Sequence, residues 1–401
     1  MNGSRRRGGG SGCGCVVLLA ALVVALAVVA VSIAPPVVRN VVEAYRQRLL
    51  GLVGMREPVI DIDEGGLGFS GEHLSESERQ VYLQLLAQAR ERKDSFVVFE
   101  ALVDEIDPAY KALMCDHPEL FWLDGSCTYV YSNMGNVVTV EPGLSVPLEE
   151  VPALEARVEA AADEFLASLP EDADEYDVIC EAYRHVILST EYDLNADQSQ
   201  NILSVLLNHS SVCAGYARAY QYLLHRAGVF CAYVEGVITE TSEDHAWNLV
   251  RVGDVYAYVD PTWGDPTYQS ADNRVSDNGV IYDYLGLTTE EMLRDQHVFS
   301  SDFELPDCTS HDLDYYYREG MTFDSYDPSA LSESFGAQLG HGNMAAFKFT
   351  NKQAFDEASN ALYSSTFLTD DLLAIALDRG DTTLRYSYVL SDTLYVVKVY
   401  W

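Results

Sequence analysis

Residues 210–217, Ser-Ser-Val-Cys-Ala-Gly-Tyr-Ala, combine a turn with the start of a helix and place Cys213 at the junction. From Cys213 onward, apolar residues recur at helical spacing as far as Ala227, and Gly228 follows where a helix commonly ends. The first turn of a helix leaves backbone N–H groups without intrahelical partners and carries the positive end of the helix dipole. Because both features stabilise a thiolate, we predict a helix over 213–227 that begins at a reactive cysteine.

Two further side chains supply the groups that such a cysteine needs. His245 lies in a segment, 244–250, that is typical of a strand, and Asp260 closes the next predicted strand, 255–260. A cysteine on a helix with a histidine and an aspartate on neighbouring strands is the composition of an activated thiol nucleophile. His245 would hold an imidazolium–thiolate pair with Cys213, and Asp260 would fix the histidine tautomer.

The order of the predicted elements indicates an α+β fold, in which helices and the cysteine helix precede an antiparallel sheet. Predicted helices before and after the cysteine helix cover 149–168, 175–189, 199–208 and 289–295, and predicted strands cover 230–239, 246–252, 255–260 and 282–288. A further small α/β region is predicted from a strand over 345–349, helices over 351–363 and 369–377, and a hairpin of 384–390 with 393–400.

Three motifs together resemble the transglutaminase-like superfamily, in its bacterial branch: residues 212–217 (Val-Cys-Ala-Gly-Tyr-Ala), 245–248 (His-Ala-Trp-Asn) and 260–263 (Asp-Pro-Thr-Trp). The segment 116–122, Asp-His-Pro-Glu-Leu-Phe-Trp, is similar to the N-terminal region of membrane-anchored or secreted members from Gram-positive bacteria. The core resemblance covers roughly 175–300 and a looser one covers 73–401.

The resemblance implies a papain-like fold, with Cys213 as nucleophile, His245 as general base and Asp260 as the group that orients His245. Gly264 departs from the family, in which an acidic residue commonly follows this tryptophan.

Residues around the predicted triad have less specific signals. A tetrahedral oxyanion needs two donors, for which the candidates are the backbone N–H of Cys213 and the side chain of Gln200. Trp247, Trp263 and Tyr216 are candidates for an acyl channel, although core packing explains both tryptophans equally well.

Three hypotheses for the activity remain open from the sequence. The first is transglutaminase or deamidase action on protein glutamine, with a protein or peptide as amide donor and an amine as a possible acceptor. The second is peptide or isopeptide hydrolysis of envelope peptides by the same residues with water as acceptor. The third is a non-catalytic envelope module that binds peptide, and the intact Cys-His-Asp set argues against it.

The N-terminus predicts a membrane anchor. Residues 13–34 are almost wholly apolar and uncharged, a length that matches the hydrocarbon core of a bilayer. Arg5, Arg6 and Arg7 precede this segment and would stay inside, so the chain after it would face outward as the extracellular part of a single-pass protein of the cell membrane.

The predicted organisation therefore comprises six segments: a cytoplasmic N-terminus (1–12), a transmembrane helix (13–34), a stalk or linker (35–72), an N-terminal α/β region (73–148), a transglutaminase-like catalytic core (149–300) and a C-terminal α/β appendage (301–401).

Charge and cysteine content exclude several classes of protein. Residues 1–50 hold six arginines and one glutamate, which leaves 19 basic and 61 acidic residues in the remainder. So acidic a surface repels nucleic acid and favours cationic or amine partners. Eight cysteines in 401 residues do not form a disulfide scaffold, and Cys115 with Cys127 is the single bridge considered. Neither zinc-binding CxxC pairs nor an EF-hand loop is present, so no metal or cofactor is predicted.

Overall fold

The computed structural model of the chain describes residues 64–132, 137–266, 279–295, 297–300, 302–339, 343–378 and 386–401. The predicted transmembrane helix over 13–34 lies outside these residues and stays a prediction. Within the described ranges, no helix has both the length and the apolar character needed to cross a bilayer.

The helices of the described residues are α1 (Phe69–Glu72), α2 (Glu76–Arg90), α3 (Ile106–Asp116), α4 (Val151–Ser168), α5 (Glu175–Ser189), α6 (Ile202–Leu206), α7 (Cys213–Arg226), α8 (Thr289–Arg294), α9 (Tyr315–Arg318), α10 (Pro328–Gln338), α11 (Lys352–Tyr363) and α12 (Thr369–Asp378). The strands are β1 (Phe96–Val98), β2 (Leu123–Ser132), β3 (Val137–Leu144), β4 (Glu191–Tyr192), β5 (Ser210–Ser211), β6 (Phe230–Ile238), β7 (Glu243–Val252), β8 (Val255–Val259), β9 (Leu285–Leu287), β10 (His297–Phe299), β11 (Thr322–Phe323), β12 (Met344–Phe349), β13 (Ser387–Ser391) and β14 (Val396–Tyr400).

Two compact units make up the chain, and the smaller one contains the described parts of 1–66, 75–110 and 127–142. In this unit β3 lies between β1 and β2 in a three-stranded sheet. The amide of Gln88 on α2 donates to the carbonyl of Val97 on β1 at 3.0 Å and accepts from its N–H at 2.8 Å. The Gln88 side chain therefore satisfies both backbone polar groups of Val97.

The larger unit contains residues 67–74, 111–126 and 143–401 and is built on a five-stranded sheet in the order β10-β6-β7-β8-β9. Each neighbouring pair of strands in it is antiparallel. Helix α7 packs against β6 and β7, and Asn248 on β7 donates to the carbonyl of Ala217 on α7 at 2.9 Å. The predicted cysteine helix on an antiparallel sheet is confirmed.

Two predicted elements differ from the structure over part of their length. The strand predicted over 282–288 is a 3₁₀ turn at Tyr282–Tyr284 followed by β9. The Leu285 N–H donates back to the Tyr282 carbonyl and closes this turn, in which Asp283 and Tyr284 are both buried.

The helix predicted over 199–208 is limited to α6, for which Asn201 is the N-cap and accepts from the Leu203 N–H. An N-cap residue has extended backbone, so the helix cannot include the residues before it.

A second sheet of the same unit lies near the C-terminus, with strand order β11-β12-β14-β13. Its core contains mostly aromatic and aliphatic side chains from β12, β14 and helices α10–α12, including Phe335, Phe347, Phe355 and Val397. The predicted hairpin and the helix over 351–363 are confirmed, with Asn351 as the N-cap of α11. The predicted domain limits at 73, 149 and 301 do not coincide with the limits of the two units and stay predictions.

Candidate active site

Cys213 is the first residue of α7, and the chain enters this helix through a fixed turn. The strands β4 and β5 pair in parallel, with Tyr192 opposite Ser211, immediately before the helix. Val212 has extended backbone as the N-cap, and its carbonyl accepts from the N–H groups of Gly215 and Tyr216. Cys213 is a partly exposed residue, and it lies at the positive end of the helix.

Gly215 allows Ser204 and Ser211 to pack directly against the first turn of α7. A Cβ atom at this position would lie 2.0 Å from Ser211 Oγ and 2.5 Å from Ser204 Oγ, and the two hydroxyl oxygens are themselves 2.7 Å apart. The motif therefore requires glycine here for packing, two residues beyond the cysteine.

His245 lies on β7 opposite Gly236 and is buried. Its Nε2 is 2.7 Å from Asp260 Oδ2, and the Cys213 thiol is a further hydrogen-bond partner of the ring. Burial lowers the pKa of His245, but the charge and hydrogen bond of Asp260 and the contact with Cys213 outweigh it and raise the pKa to about 10. The imidazolium form is therefore favoured beside the thiol.

Asp260 directly follows β8 and has no exposed surface. Oδ1 accepts from the backbone N–H of Thr262 at 2.9 Å and of Trp263 at 3.1 Å. Oδ2 faces His245 at 2.7 Å and His297 at 3.2 Å. Burial alone would raise the pKa of Asp260, but the two histidines hold it below its ordinary value. All four acceptor positions of the carboxylate are occupied, so its orientation is fixed.

His297 is the site residue that sequence reasoning missed. It begins the short strand β10, has no exposed surface, and places Nδ1 3.1 Å from the Asp295 carbonyl oxygen. No motif surrounds it, and it comes 37 residues after Asp260. The available signal was a polar side chain at the first position of an otherwise apolar triplet, His-Val-Phe.

The ligand-capable atoms of His245, Asp260 and His297 lie within 4.8 Å of one another, a spacing that could also hold a metal ion. Both histidines contact the Asp260 carboxylate, and these contacts are enough to explain the close spacing. The prediction of a site without metal stays a prediction.

Gly264, which departs from the family pattern, has a structural reason. A Cβ at this position would lie 1.9 Å from the hydroxyl oxygen of Tyr183 on α5. That hydroxyl donates to the Ile281 carbonyl at 2.7 Å, and the Ile281 N–H donates to the Gly264 carbonyl at 2.9 Å. The turn after Asp260 is thus packed against α5, and an acidic side chain would not fit.

The candidate oxyanion donor Gln200 is exposed and lines a cavity of about 370 Å³ together with Gln198, Arg218 and Tyr233. Tyr233 belongs to the apolar cluster on which Cys213 packs. The cavity is therefore next to the residues around the thiol, and the role of Gln200 stays a prediction.

The three candidate channel residues differ in exposure. Trp247 and Tyr216 are completely buried, and the Tyr216 hydroxyl donates to Asp265 at 2.7 Å. Neither lines an open channel in this structure. Trp263 is partly buried, with its ring centroid 6.0 Å from that of His245, so its channel role stays a prediction.

The other cysteines near the core have a different environment. Cys115 is a buried free thiol, so the bridge considered with Cys127 is not present. Burial raises the pKa of Cys115 and of Cys180 to about 12, and it also raises the pKa of Cys231 well above the ordinary value. These thiols therefore stay protonated at neutral pH, unlike a reactive cysteine.

Residues 162–261 match the family model of the transglutaminase-like superfamily. The core of this chain is transglutaminase-like. The superfamily typically consists of cysteine-dependent enzymes, and the matched range contains Cys213, His245 and Asp260.

Comparison with solved structures gives two weaker likenesses. A TGase crystal structure is 15% identical, with 39% of this chain and 50% of that chain covered and a TM-score of 0.26. A candidate cysteine protease from Cytophaga hutchinsonii is 14% identical, with 39% and 64% covered and a TM-score of 0.24. The aligned part of the chain thus spans about half to two thirds of the length of these proteins. No curated protein matches the sequence.

Proposed function

We propose that the transglutaminase-like core catalyses thiol-dependent acyl transfer from an amide through Cys213, His245 and Asp260. The observation that carries the proposal is the contact of a partly exposed thiol at a helix start with a buried imidazole, which is itself held 2.7 Å from a buried carboxylate. The family match over 162–261 supports the same chemistry.

The first half-reaction forms a thioester. The Cys213 thiolate attacks the amide carbonyl carbon, and the backbone N–H of Cys213, the first residue of α7, is a suitable donor to the oxyanion. The C–N bond then breaks, and the His245 imidazolium gives its proton to the departing amine.

In the second half-reaction water or an amine attacks the thioester. His245 takes the proton of this nucleophile, the C–S bond breaks, and the Cys213 thiolate is regenerated. Asp260 keeps the imidazole in the required tautomer throughout, because its Oδ2 accepts a hydrogen bond from the ring Nε2.

The proposed substrate is a protein or peptide amide, with glutamine side chains and envelope peptides as the two candidate classes. The excess of acidic residues, 62 against 25 basic ones, supports amine or lysine-rich partners, since opposite charge concentrates them at the surface. We also infer attachment to the cell membrane through residues 13–34, with the catalytic core outside, on the length and polarity of that segment alone.

The test compares alkylation of the full-length chain by iodoacetamide between pH 5 and 9 in the wild type, Cys213→Ala and His245→Ala. We expect one fast-reacting thiol at pH 6 that disappears in Cys213→Ala and slows by about 10²-fold or more in His245→Ala. Cys180→Ala is the matched control, because it removes a thiol whose pKa burial raises to about 12, and the fast phase should be unchanged.

Incorporation of a fluorescent amine into casein, measured beside ammonia and peptide release, then separates amine from water as the acceptor. If Cys213 reacts no faster than an ordinary thiol and does not depend on His245, the catalytic proposal is wrong and a peptide-binding module takes its place.

A further inference from the structure

We propose that His297 is a positioning residue for the Asp260–His245 pair, and that the C-terminal hairpin loop holds His297 in place. The proposal rests on the proposed function of Cys213, and it gives the C-terminal sheet a role in catalysis. Its basis is a set of polar contacts that runs from Thr393, in the loop between β13 and β14, through Asp295 and His297 to the carboxylate of Asp260.

The first link is between His297 and Asp260. Both His245 and His297 direct Nε2 at the same oxygen, Oδ2, at 2.7 Å and 3.2 Å. A carboxylate with a single partner on this oxygen could rotate toward or away from His245. With His297 as a second donor to Oδ2 and two backbone N–H groups on Oδ1, rotation would break existing hydrogen bonds.

The second feature is the enclosure of His297. Its ring centroid lies 4.6 Å from that of Trp263 and 5.2 Å from that of Trp247, and the side chain has no exposed surface. Trp247 also stacks on His245 at 5.8 Å with an interplanar angle of 29°. The two histidines are therefore packed in one aromatic enclosure, and the position of one ring limits the position of the other.

The third link connects His297 to the C-terminal hairpin. The His297 Nδ1 lies 3.1 Å from the carbonyl oxygen of Asp295, and the Thr393 hydroxyl donates to the Asp295 carboxylate. Arg294 donates through Nε to the Thr393 carbonyl, and its guanidinium lies 4.2 Å from the ring centroid of Tyr395. The segment before β10 is thus attached to the hairpin loop through both Arg294 and Asp295.

Apolar packing holds the loop itself. Leu394 has no exposed surface and belongs to the same buried cluster as Trp247, Leu249 and Met292. The loop is therefore part of the core beneath the catalytic strands, and it can transmit its position to Asp295 and His297.

The consequence is a division of roles among the residues on Asp260. His245 touches the thiol, so it is catalytic, whereas His297 acts only through Asp260. Loss of the His297 donor would leave one acceptor position of a buried carboxylate without a partner and would allow the His245–Asp260 geometry to relax, and a displacement of about 1 Å is enough to cost about 10²-fold in rate.

The experiment measures alkylation of Cys213 by iodoacetamide at pH 6 in the full-length chain, with thermal unfolding as the record of folding. We expect His297→Leu to slow alkylation by about 10-fold to 10²-fold. His297→Gln retains a donor near the Nε2 position and should stay within about threefold of the wild type. Thr393→Val removes the bond to Asp295 at constant shape and should slow alkylation by about threefold.

Thr350→Val is the matched control for the last variant, since it removes a threonine hydrogen bond of 2.9 Å to Asp324 in the same C-terminal region. Its alkylation rate should equal that of the wild type. The combination of His245→Ala with His297→Leu should be no slower than His245→Ala alone, because His297 acts through His245.

The outcomes separate this inference from the proposed function. If wild-type Cys213 is fast and His245-dependent but His297→Leu is equally fast, or if Gln fails to restore the rate lost with Leu, the positioning role is wrong. An additive loss in the double variant would also overturn it. If His297→Leu does not fold, the rates of Thr393→Val and Thr350→Val decide, and equal rates contradict the proposal.

Discussion

Among the described residues of the larger unit, two buried clusters each combine cationic side chains with carboxylates but differ in what they can do. The histidine cluster comprises His245, Asp260 and His297, and the lysine cluster comprises Lys348, Glu291 and Asp314. Lys348 on β12 lies 2.7 Å from Glu291 on α8 and also contacts Asp314 beside α9. All six side chains are at most 5% exposed.

The difference lies in the cation and in its neighbours. Burial lowers the pKa of Lys348, but its two carboxylates outweigh this and raise the pKa above the usual value of 10.5, so Lys348 keeps its proton at any physiological pH. His245 can exchange a proton through its second ring nitrogen and has the Cys213 thiol beside it. Buried charge alone therefore does not indicate catalysis, and the proposed catalytic role of the histidine cluster depends on an exchangeable proton next to a thiol.

The largest effect that would test this comparison is expected from Lys348→Met. It leaves Glu291 and Asp314 buried without their cation, which typically costs about 3–5 kcal/mol in the free energy of unfolding. Alkylation of Cys213 in the folded fraction should not change. Urea unfolding and the pH 6 alkylation rate, measured on the same samples, check both parts.

Lys352→Met is the control for that variant. Lys352 pairs with Asp356 one turn along α11 at 2.7 Å, and both side chains are largely exposed, so the free energy of unfolding should hardly change. A loss of alkylation in Lys348→Met that exceeds the loss of folded protein would mean that the two clusters are coupled.

The second prediction concerns pH. The pKa of His245 is raised from 6.5 to about 10, so its protonated form stabilises the folded chain fully below pH 6.5 and this contribution is lost as the pH rises toward 10. The lysine cluster keeps its charges over the same interval, because the pKa of Lys348 is raised.

The difference in unfolding free energy between the wild type and His245→Gln should therefore shrink between pH 6 and pH 9. The difference between the wild type and Lys348→Met should stay constant over this range. Urea unfolding at several pH values measures both, and parallel behaviour of the two differences would contradict the assignment of the two cations.

The smallest effect is expected from Gly264→Ala, which disturbs the turn that holds the histidine cluster. The added methyl group would meet Tyr183 at 1.9 Å, and overpacking of this kind costs about 1–3 kcal/mol. Because the Gly264 N–H donates to the Asp260 carbonyl at 3.1 Å, the alkylation rate should fall together with the stability.

Gly336→Ala supplies the control, since a Cβ at this position on α10 would meet no atom within 4 Å. It should raise the free energy of unfolding by about 0.5–1 kcal/mol, as expected for alanine in place of glycine within a helix. Equal behaviour of the two alanine variants would mean that the turn after Asp260 can shift freely.

The sequence predicts the cysteine helix and its sheet well because the signals are local. Helix α7 begins at Cys213 and is followed by Gly228 at φ +79°, as the apolar spacing and the terminal glycine indicated. His245 and Asp260 were found because each belongs to a motif that lies on or directly beside a predicted strand.

His297 was missed because its role depends on which strands are neighbours. β10 pairs with β6 at the edge of the sheet, with His297 opposite Ile238, and only this pairing places the ring beside Asp260. The 3₁₀ turn at Tyr282–Tyr284 was predicted as a strand for a related reason. Its buried Asp283 carboxylate accepts a hydrogen bond from the Lys398 ammonium at 2.7 Å. This partner is 115 residues away in sequence.

The paired strands β4 and β5 have a consequence for how this protein could diversify. They bring the two ends of the segment between Tyr192 and Ser210 together, next to the start of α7. This segment carries Gln198 and Gln200, which line the cavity beside the site. Insertions or substitutions within it would reshape that wall while the paired strands keep Cys213 in place, so substrate preference could change without moving the proposed nucleophile.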